Sequence, residues 1–259
     1  MFNQSYNFIL IGGGRLDGKL ATLAPGSVKA LLPVGNQILL DIALAAIQGL
    51  NTLYPDIVGE IAVVGGEEIQ TWTKDKPQVK YVSEGISGVQ NVYRALKAFA
   101  SNNPAIVVSP DLPFINTEAL EDFISQLQLT DDMVLAIIDK KNFLARFPDA
   151  KNRFEKIQGK EITLASIFMV RKDAFSKNVP YFEDIFRQRK HPIKLALLLG
   201  IDLVIKLLLG FAGIPELVKR ATRNCDCTVR AVYCKHAELV YDIDNWENYQ
   251  FALGMLKRS

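Results

Sequence analysis

The sequence predicts an α/β domain built on a mostly parallel sheet, with helices covering both faces. Short apolar runs of strand length alternate with stretches whose apolar residues recur at helical spacing, and a run that is apolar at every position belongs in a sheet buried on both sides. Three of these runs also stop in loops rich in glycine, serine, proline and acidic residues. Those residue types are expected where a parallel sheet meets a ligand, beyond the carboxyl ends of its strands.

The first strand is expected over residues 7–12, where Phe8-Ile9-Leu10-Ile11 empties into Gly12, Gly13 and Gly14, followed at once by Arg15. Glycines at a strand end let phosphates approach the backbone N–H groups, and Arg15 and Lys29 bring positive charge to the same mouth. A tight turn is the structural alternative. The spacing matches neither G-x-G-x-x-G nor G-x-x-x-x-G-K-[ST], which sets aside the Rossmann and P-loop fingerprints. After Lys29-Ala30-Leu31-Leu32-Pro33-Val34-Gly35, residues 37–50 carry helical spacing. A second strand at 61–64 ends in Gly65-Gly66, and a third at 79–82 runs into Ser83-Glu84-Gly85-Ile86-Ser87-Gly88 and a helix over residues 89–100. The fourth strand, 105–108, stops at Ser109-Pro110-Asp111-Leu112-Pro113; a well-capped helix over 117–127 and a fifth strand over 133–138 follow.

The later chain departs from this alternation. Residues 140–160 are charged and irregular, which suits a solvated loop or an acceptor-binding loop in which Arg153 is the leading cation. A strand is expected near 162–170. Residues 193–213 are expected to form a very apolar helix interrupted by Asp202 and Lys206, which would lie one turn apart and could pair. Its uninterrupted runs are too short for a transmembrane span. A buried helix, a homodimer contact and a peripheral membrane contact stay open as its use. The segment 171–227 is therefore expected as a helical insertion or subdomain within a single domain of residues 1–259. Further strands are expected at 229–233 and 238–241, then a last helix over 249–257, which Asp244 would cap.

With 259 residues, 49% hydrophobic and 22% charged, the chain has an ordinary globular composition. A net charge of +2 gives no ground for nucleic acid as a partner. The odd set of Cys225, Cys227 and Cys234 lacks zinc spacing and reads as free thiols. No secretory signal is legible at the start, so a cytoplasmic location is expected. Asp111 is held on a stiff, proline-flanked loop at the end of a buried strand. A carboxylate there suits Mg²⁺, with Asp244 as a second ligand if the sheet sets the two opposite each other.

In order and approximate spacing, residues 9–14, 29–35, 109–113 and 242–247 resemble the Gly-rich loop, lysine block, aspartate-proline loop and terminal acidic segment of the molybdenum-cofactor-type (MobA-like) nucleotidyltransferases. Residues 83–88 resemble the loop that contacts the base in that family. The likeness covers residues 7–140 and the last strand and helix; residues 141–235 resemble only a less characterised branch. It implies a GT-A-like three-layer α/β/α sandwich and a Mg²⁺-dependent transfer of a nucleoside monophosphate from an NTP to a small phosphorylated acceptor, with release of pyrophosphate. On that reading Ile11, Gly12, Gly13, Gly14, Ser83, Gly85 and Gly88 hold the nucleotide, and Arg15 the β- and γ-phosphates. Lys29 stabilises the α-phosphoryl transition state, Asp111 and Asp244 hold Mg²⁺, and Arg153 binds the acceptor. Three departures stand out. Arg15 follows the third glycine without a spacer, leaving Lys19 as its substitute; residues 163–166 lack a Gly-Gly-Asn; and Asn245-Trp246 replaces a Thr-Pro. Two alternatives accompany them: a catalytically degenerate nucleotide-binding regulatory protein, and a GT-A glycosyltransferase, which would want Asp-x-Asp where the fourth strand offers Asp111 alone.

Overall fold

The computed structural model describes residues 4–188, 200, 202–203 and 213–257. In chain order the strands are β1 (Tyr6–Ile11), β2 (Pro33–Val34), β3 (Gln37–Ile38), β4 (Val58–Gly65), β5 (Val79–Ser83), β6 (Ala105–Val108), β7 (Met133–Asp139), β8 (Glu155–Ile157), β9 (Lys160–Val170) and β10 (Val229–Tyr233). The helices are α1 (Gly18–Ala21), α2 (Leu39–Leu53), α3 (Glu67–Thr73), α4 (Gly88–Ala98), α5 (Thr117–Ile124), α6 (Lys140–Arg146), α7 (Lys172–Lys177), α8 (Val179–Gln188), α9 (Ile214–Cys225) and α10 (Trp246–Leu256). The main sheet runs β10-β7-β9-β6-β1-β4-β5, with β8 paired to β9. All of its pairings are parallel except those of β9, which runs antiparallel to β6, β7 and β8.

Side-chain alternation along the central strands builds the two cores. Phe8 and Leu10 of β1, with Ile61 and Val63 of β4, meet α2 and α5 on one face. Ile9, Ala62 and Val64 meet Val89, Val92 and Leu96 of α4 on the other. Each buried aliphatic side chain contributes about 1.5–3 kcal/mol, and a slip of one residue would exchange the two faces, so burial fixes the register. The register in turn places the ends of β1, β4, β5 and β6 side by side.

Several elements differ from the sequence expectations. Residues 238–241 are not a strand: Ala237–Leu239 is a buried 3₁₀ turn, and the N–H groups of Leu239, Val240 and Tyr241 donate to the nearby carbonyls of His236 and Ala237 instead of to a neighbouring strand. The segment 140–160 contains α6, anchored by the buried Phe143, and then β8, so it is more regular than its charge suggested. Helix α2 begins at Leu39 because Gln37 and Ile38 pair with Pro33 and Val34. Helix α10 begins at Trp246, and its cap is Asn245, whose side chain accepts the Asn248 N–H at 2.9 Å; Asp244 is thereby released from capping. Most of the apolar stretch 193–213 lies outside the described residues, as does Lys206. Asp202 makes its ion pair with Arg220 of α9. All three cysteines are free and buried. Among the described residues no helix is long and apolar enough to cross a membrane.

Candidate active site

Three loops meet beyond β1 and β6, and backbone hydrogen bonds lock them together. The Lys29 N–H donates to the Gly14 carbonyl at 2.9 Å, which ties the lysine segment to the glycine loop. The Ile243 N–H donates to the Asp111 carbonyl at 3.1 Å, which brings residues 242–244 to the proline-flanked loop. As a result the Lys29 ammonium donates to Asp111 Oδ2 at 2.7 Å and to Asp244 Oδ1 at 2.6 Å. The Lys29 and Asp111 side chains are only 15% and 14% exposed, whereas that of Asp244 is 65% exposed.

Asp242 completes the cluster: one carboxylate oxygen from each of Asp111, Asp242 and Asp244 lies within 4.8 Å of the others. Burial, reinforced by the negative charges of Asp111 and Asp244, pushes the Asp242 pKa up to about 7. Burial pulls the Lys29 pKa down, but its two carboxylate partners outweigh that effect and the net shift is upward. Lys29 is therefore a fixed positive charge, and Asp242 is the titrating member. Asp111 Oδ1 is buried and makes no hydrogen bond among the described residues. A carboxylate oxygen left in this state beside two further acids is the donor set a hard divalent cation such as Mg²⁺ takes.

Arg15 points the other way, towards the ends of β4 and β5. Its guanidinium donates to Glu84 Oε1 at 3.0 Å and to the Gly13 carbonyl at 2.9 Å. The glycine mouth therefore carries an acid as well as a base, where the sequence suggested positive charge alone. A Cβ on Gly13 would fall 2.3 Å from Glu84 Oε2, and one on Gly12 would press on the Val64 carbonyl and Ile69 at 3.1 Å. Gly14 has only ordinary contacts there, the nearest being Lys29 Cβ at 3.6 Å. Ile11 ends β1 directly below this loop.

The loop 83–88 is held by α4. Arg94 donates to the Ser83 hydroxyl and carbonyl at 3.3 Å, and the Gly85 N–H donates to Asn91 Oδ1 at 2.6 Å. The Ile86 N–H donates to Gln90 Oε1 at 3.2 Å, and the Ile86 side chain is 93% exposed. Ser87 caps α4 through Gln90, and Gly88 lies where a Cβ would touch Phe186 at 3.1 Å. The N–H groups of Gly85 and Ile86 are thus already engaged by the Asn91 and Gln90 side chains of α4. Arg153 stands apart from these loops. Its guanidinium pairs with Glu155 at 2.8 Å, it is 86% exposed, and none of its contacts is with Lys29, Asp111, Asp242 or Asp244.

The structure brings together Lys29, Asp111 and Asp244 as expected and adds two residues that the sequence reading passed over. Asp242 was legible in Asp-Ile-Asp, where a buried Ile243 between two acids turns both to one side. Glu84 was legible only as the one charged residue in a loop otherwise of small and apolar residues.

A family model for the MobA-like NTP transferase domain matches residues 18–197. The chain belongs to this family. It is an NTP-dependent nucleotidyltransferase by that membership. A comparison of the sequence with curated proteins returns no match. Among solved structures, a hypothetical transferase from Thermus thermophilus is similar with a TM-score of 0.81 at 23% identity, over 95% of this chain and 100% of that one. The 4-diphosphocytidyl-2C-methyl-D-erythritol synthase of Anaerococcus prevotii is similar with a TM-score of 0.59 at 15% identity, over 98% and 97% of the two chains. A CMP:2-keto-3-deoxy-manno-octonic acid synthetase in complex with CTP gives 0.57 at 12% identity, over 98% and 99%. At these identities the likeness is one of fold: the GT-A-like α/β/α sandwich that this MobA-like chain shares with nucleotidyltransferases.

Proposed function

We propose that the protein transfers a nucleoside monophosphate from an NTP to a small phosphorylated acceptor, in a Mg²⁺-dependent reaction that releases pyrophosphate. The observation that carries this reading is the half-buried Asp111, which gives one oxygen to Lys29 and keeps the other, itself buried, without a partner among the described residues, beside Asp242 and Asp244. Asp111, Asp242 and Asp244 would hold the cation. When bound, it supplies charge neutralisation to the phosphate oxygens.

The protein's own part is alignment and electrostatics, because phosphoryl-group chemistry asks for little covalent work from the enzyme. Lys29 is a fixed cation at the junction of the glycine and aspartate loops, suited to the charge that grows on the α-phosphoryl oxygens. Gly12 and Gly13, with Ile11 below them, leave room for the nucleotide over the end of β1. Residues 83–88 form the neighbouring wall, with Ser83, Gly85 and Gly88 on the base side, and the Arg15–Glu84 pair stands between the two. Arg15 reaches the β- and γ-phosphates only after releasing Glu84. Between β9 and β10 the described helices α7, α8 and α9 are read as parts of the helical insertion expected at 171–227 within a single domain.

A pyrophosphate-release assay with ATP, GTP, CTP and UTP against a panel of phosphorylated acceptors tests the proposal. Release that needs both an acceptor and Mg²⁺ supports it. Release of free phosphate in place of pyrophosphate, or turnover that ignores chelation of divalent metal, contradicts it.

A further inference from the structure

The face of the sheet opposite α2 carries a cavity of about 440 Å³, within the range of a small-molecule site (~300–1,000 Å³). It is a slot with a direction. Ser109 and Ser166 lie at its upper end, joined by the Ser109 N–H donating to the Ser166 carbonyl at 3.0 Å. One step down, Val107 of β6 sits opposite Phe168 of β9, and the slot continues towards Phe175 and the start of β7 at Met133. The serine end is therefore the end at which β1 and β6 deliver Gly12 and Asp111. Ile11, the residue before the glycine loop, lines the slot as well.

Apart from the two serines, every lining side chain is apolar, with Phe182 and Phe186 of α8 forming the outer wall. A sugar or a heteroaromatic ring placed there would bury hydroxyl or ring-nitrogen groups without partners. A hydrocarbon chain would not, and only its polar head would need the serine end. We propose that this slot is the acceptor subsite of the transferase, and that the acceptor is the monophosphate of a hydrocarbon-chain alcohol, with its chain between β9 and α8 and its phosphate beside Ser109 and Ser166. The proposal rests on the transferase reading above and narrows its acceptor to one chemical class. In the transfer an oxygen of the alkyl phosphate forms a bond to the α-phosphorus of the NTP. The bond from that phosphorus to the bridging oxygen breaks, and pyrophosphate leaves with the electron pair. The phosphate dianion has no proton to lose.

Calorimetric titration of the full-length protein with hexyl, octyl and decyl phosphate, beside glycerol 3-phosphate and inorganic phosphate, tests the proposal, with an NTP titration run on the same samples. Each added methylene should tighten binding about fourfold, and the two chainless phosphates should bind weakly and alike. Ser166→Trp, which closes the upper end, should abolish the dependence on chain length, while Ser166→Ala should keep it. NTP binding without any dependence on chain length overturns the slot and leaves the transferase reading standing; so does a slope that survives Ser166→Trp. A fourfold slope without NTP binding keeps the hydrocarbon subsite and removes its role as acceptor site.

Discussion

The two ends of the glycine loop are built on opposite electrostatic plans. On the β6 side, one lysine faces three aspartates, so negative charge is in excess and one buried oxygen is unsatisfied. On the β5 side, one arginine faces one glutamate in a balanced pair lying over Gly13. The first end offers the oxygen donors that a cation would complete. The second is already neutral, and can accept hydrogen bonds from a base or yield Arg15 to phosphates. The difference teaches that the positive residues following the glycines do not form one patch: Lys29 sits with Asp111 and Asp244, and Arg15 with Glu84; on the proposed function the first is the metal side and the second the nucleotide side.

The largest effect should come from Asp111→Asn. Turnover should fall by about 10²–10³-fold, and stabilisation by Mg²⁺ should vanish while the melting temperature without metal changes little. Lys29→Ala should sharpen the contrast differently. It leaves the largely enclosed Asp111 carboxylate without its counter-ion, a loss of about 3 kcal/mol in the metal-free protein, while the exposed Asp244 loses little. Mg²⁺ should restore more stability to that variant than it adds to the wild type, whereas kcat should stay low even when metal and NTP saturate.

A pH series tests Asp242. Its pKa in the folded protein is about 7, against roughly 3.9 in an unfolded chain. Between those values the folded state holds a proton that the unfolded state has released, so the stability of the metal-free protein should fall as pH rises from about 4 to 7 and then level off. Mg²⁺ favours the ionised form, so its affinity should rise across the same window, and Asp242→Asn should flatten both profiles. On the other side of the loop, Glu84→Gln should cost about tenfold in the preference among the four NTPs, because a carboxylate only accepts hydrogen bonds and an amide does both. The smallest effect is expected from Asn245→Ala, which removes the cap of α10 and about 1 kcal/mol of stability, with a modest rise in the KM for Mg²⁺ as Asp244 loosens.

The parallel sheet was legible because β1, β6 and the 61–64 half of β4 are apolar runs of strand length that alternate with helical patterns, as strands buried on both faces do. Asp111 was legible from its place beyond the end of β6, and Lys29 and Asp244 from the order of segments they share with the MobA-like family. The Ile243 to Asp111 backbone bond that closes the distance was not, since it joins loops more than a hundred residues apart. The pairing of Arg15 was not legible, because local sequence shows its charge but not that the loop after β5 brings Glu84 to it. The 3₁₀ turn at Ala237–Leu239 was hidden by the apolar residues around it, which suit a strand as well as a buried turn. The apolar slot was invisible for a related reason: Val107, Phe168 and Phe182 read separately as core residues, and only the packing of α8 over β9 leaves a space between them.

The most direct measurement is thermal stabilisation by each of the four NTPs, with and without Mg²⁺, on the wild type, Asp111→Asn and Glu84→Gln. An NTP at a hundred times its Kd should add about 2.7 kcal/mol to the wild type. Asp111→Asn should lose only the part that requires Mg²⁺, and Glu84→Gln only the preference for one base. If both variants lose both parts equally, the two ends are not separate sites and the account is wrong.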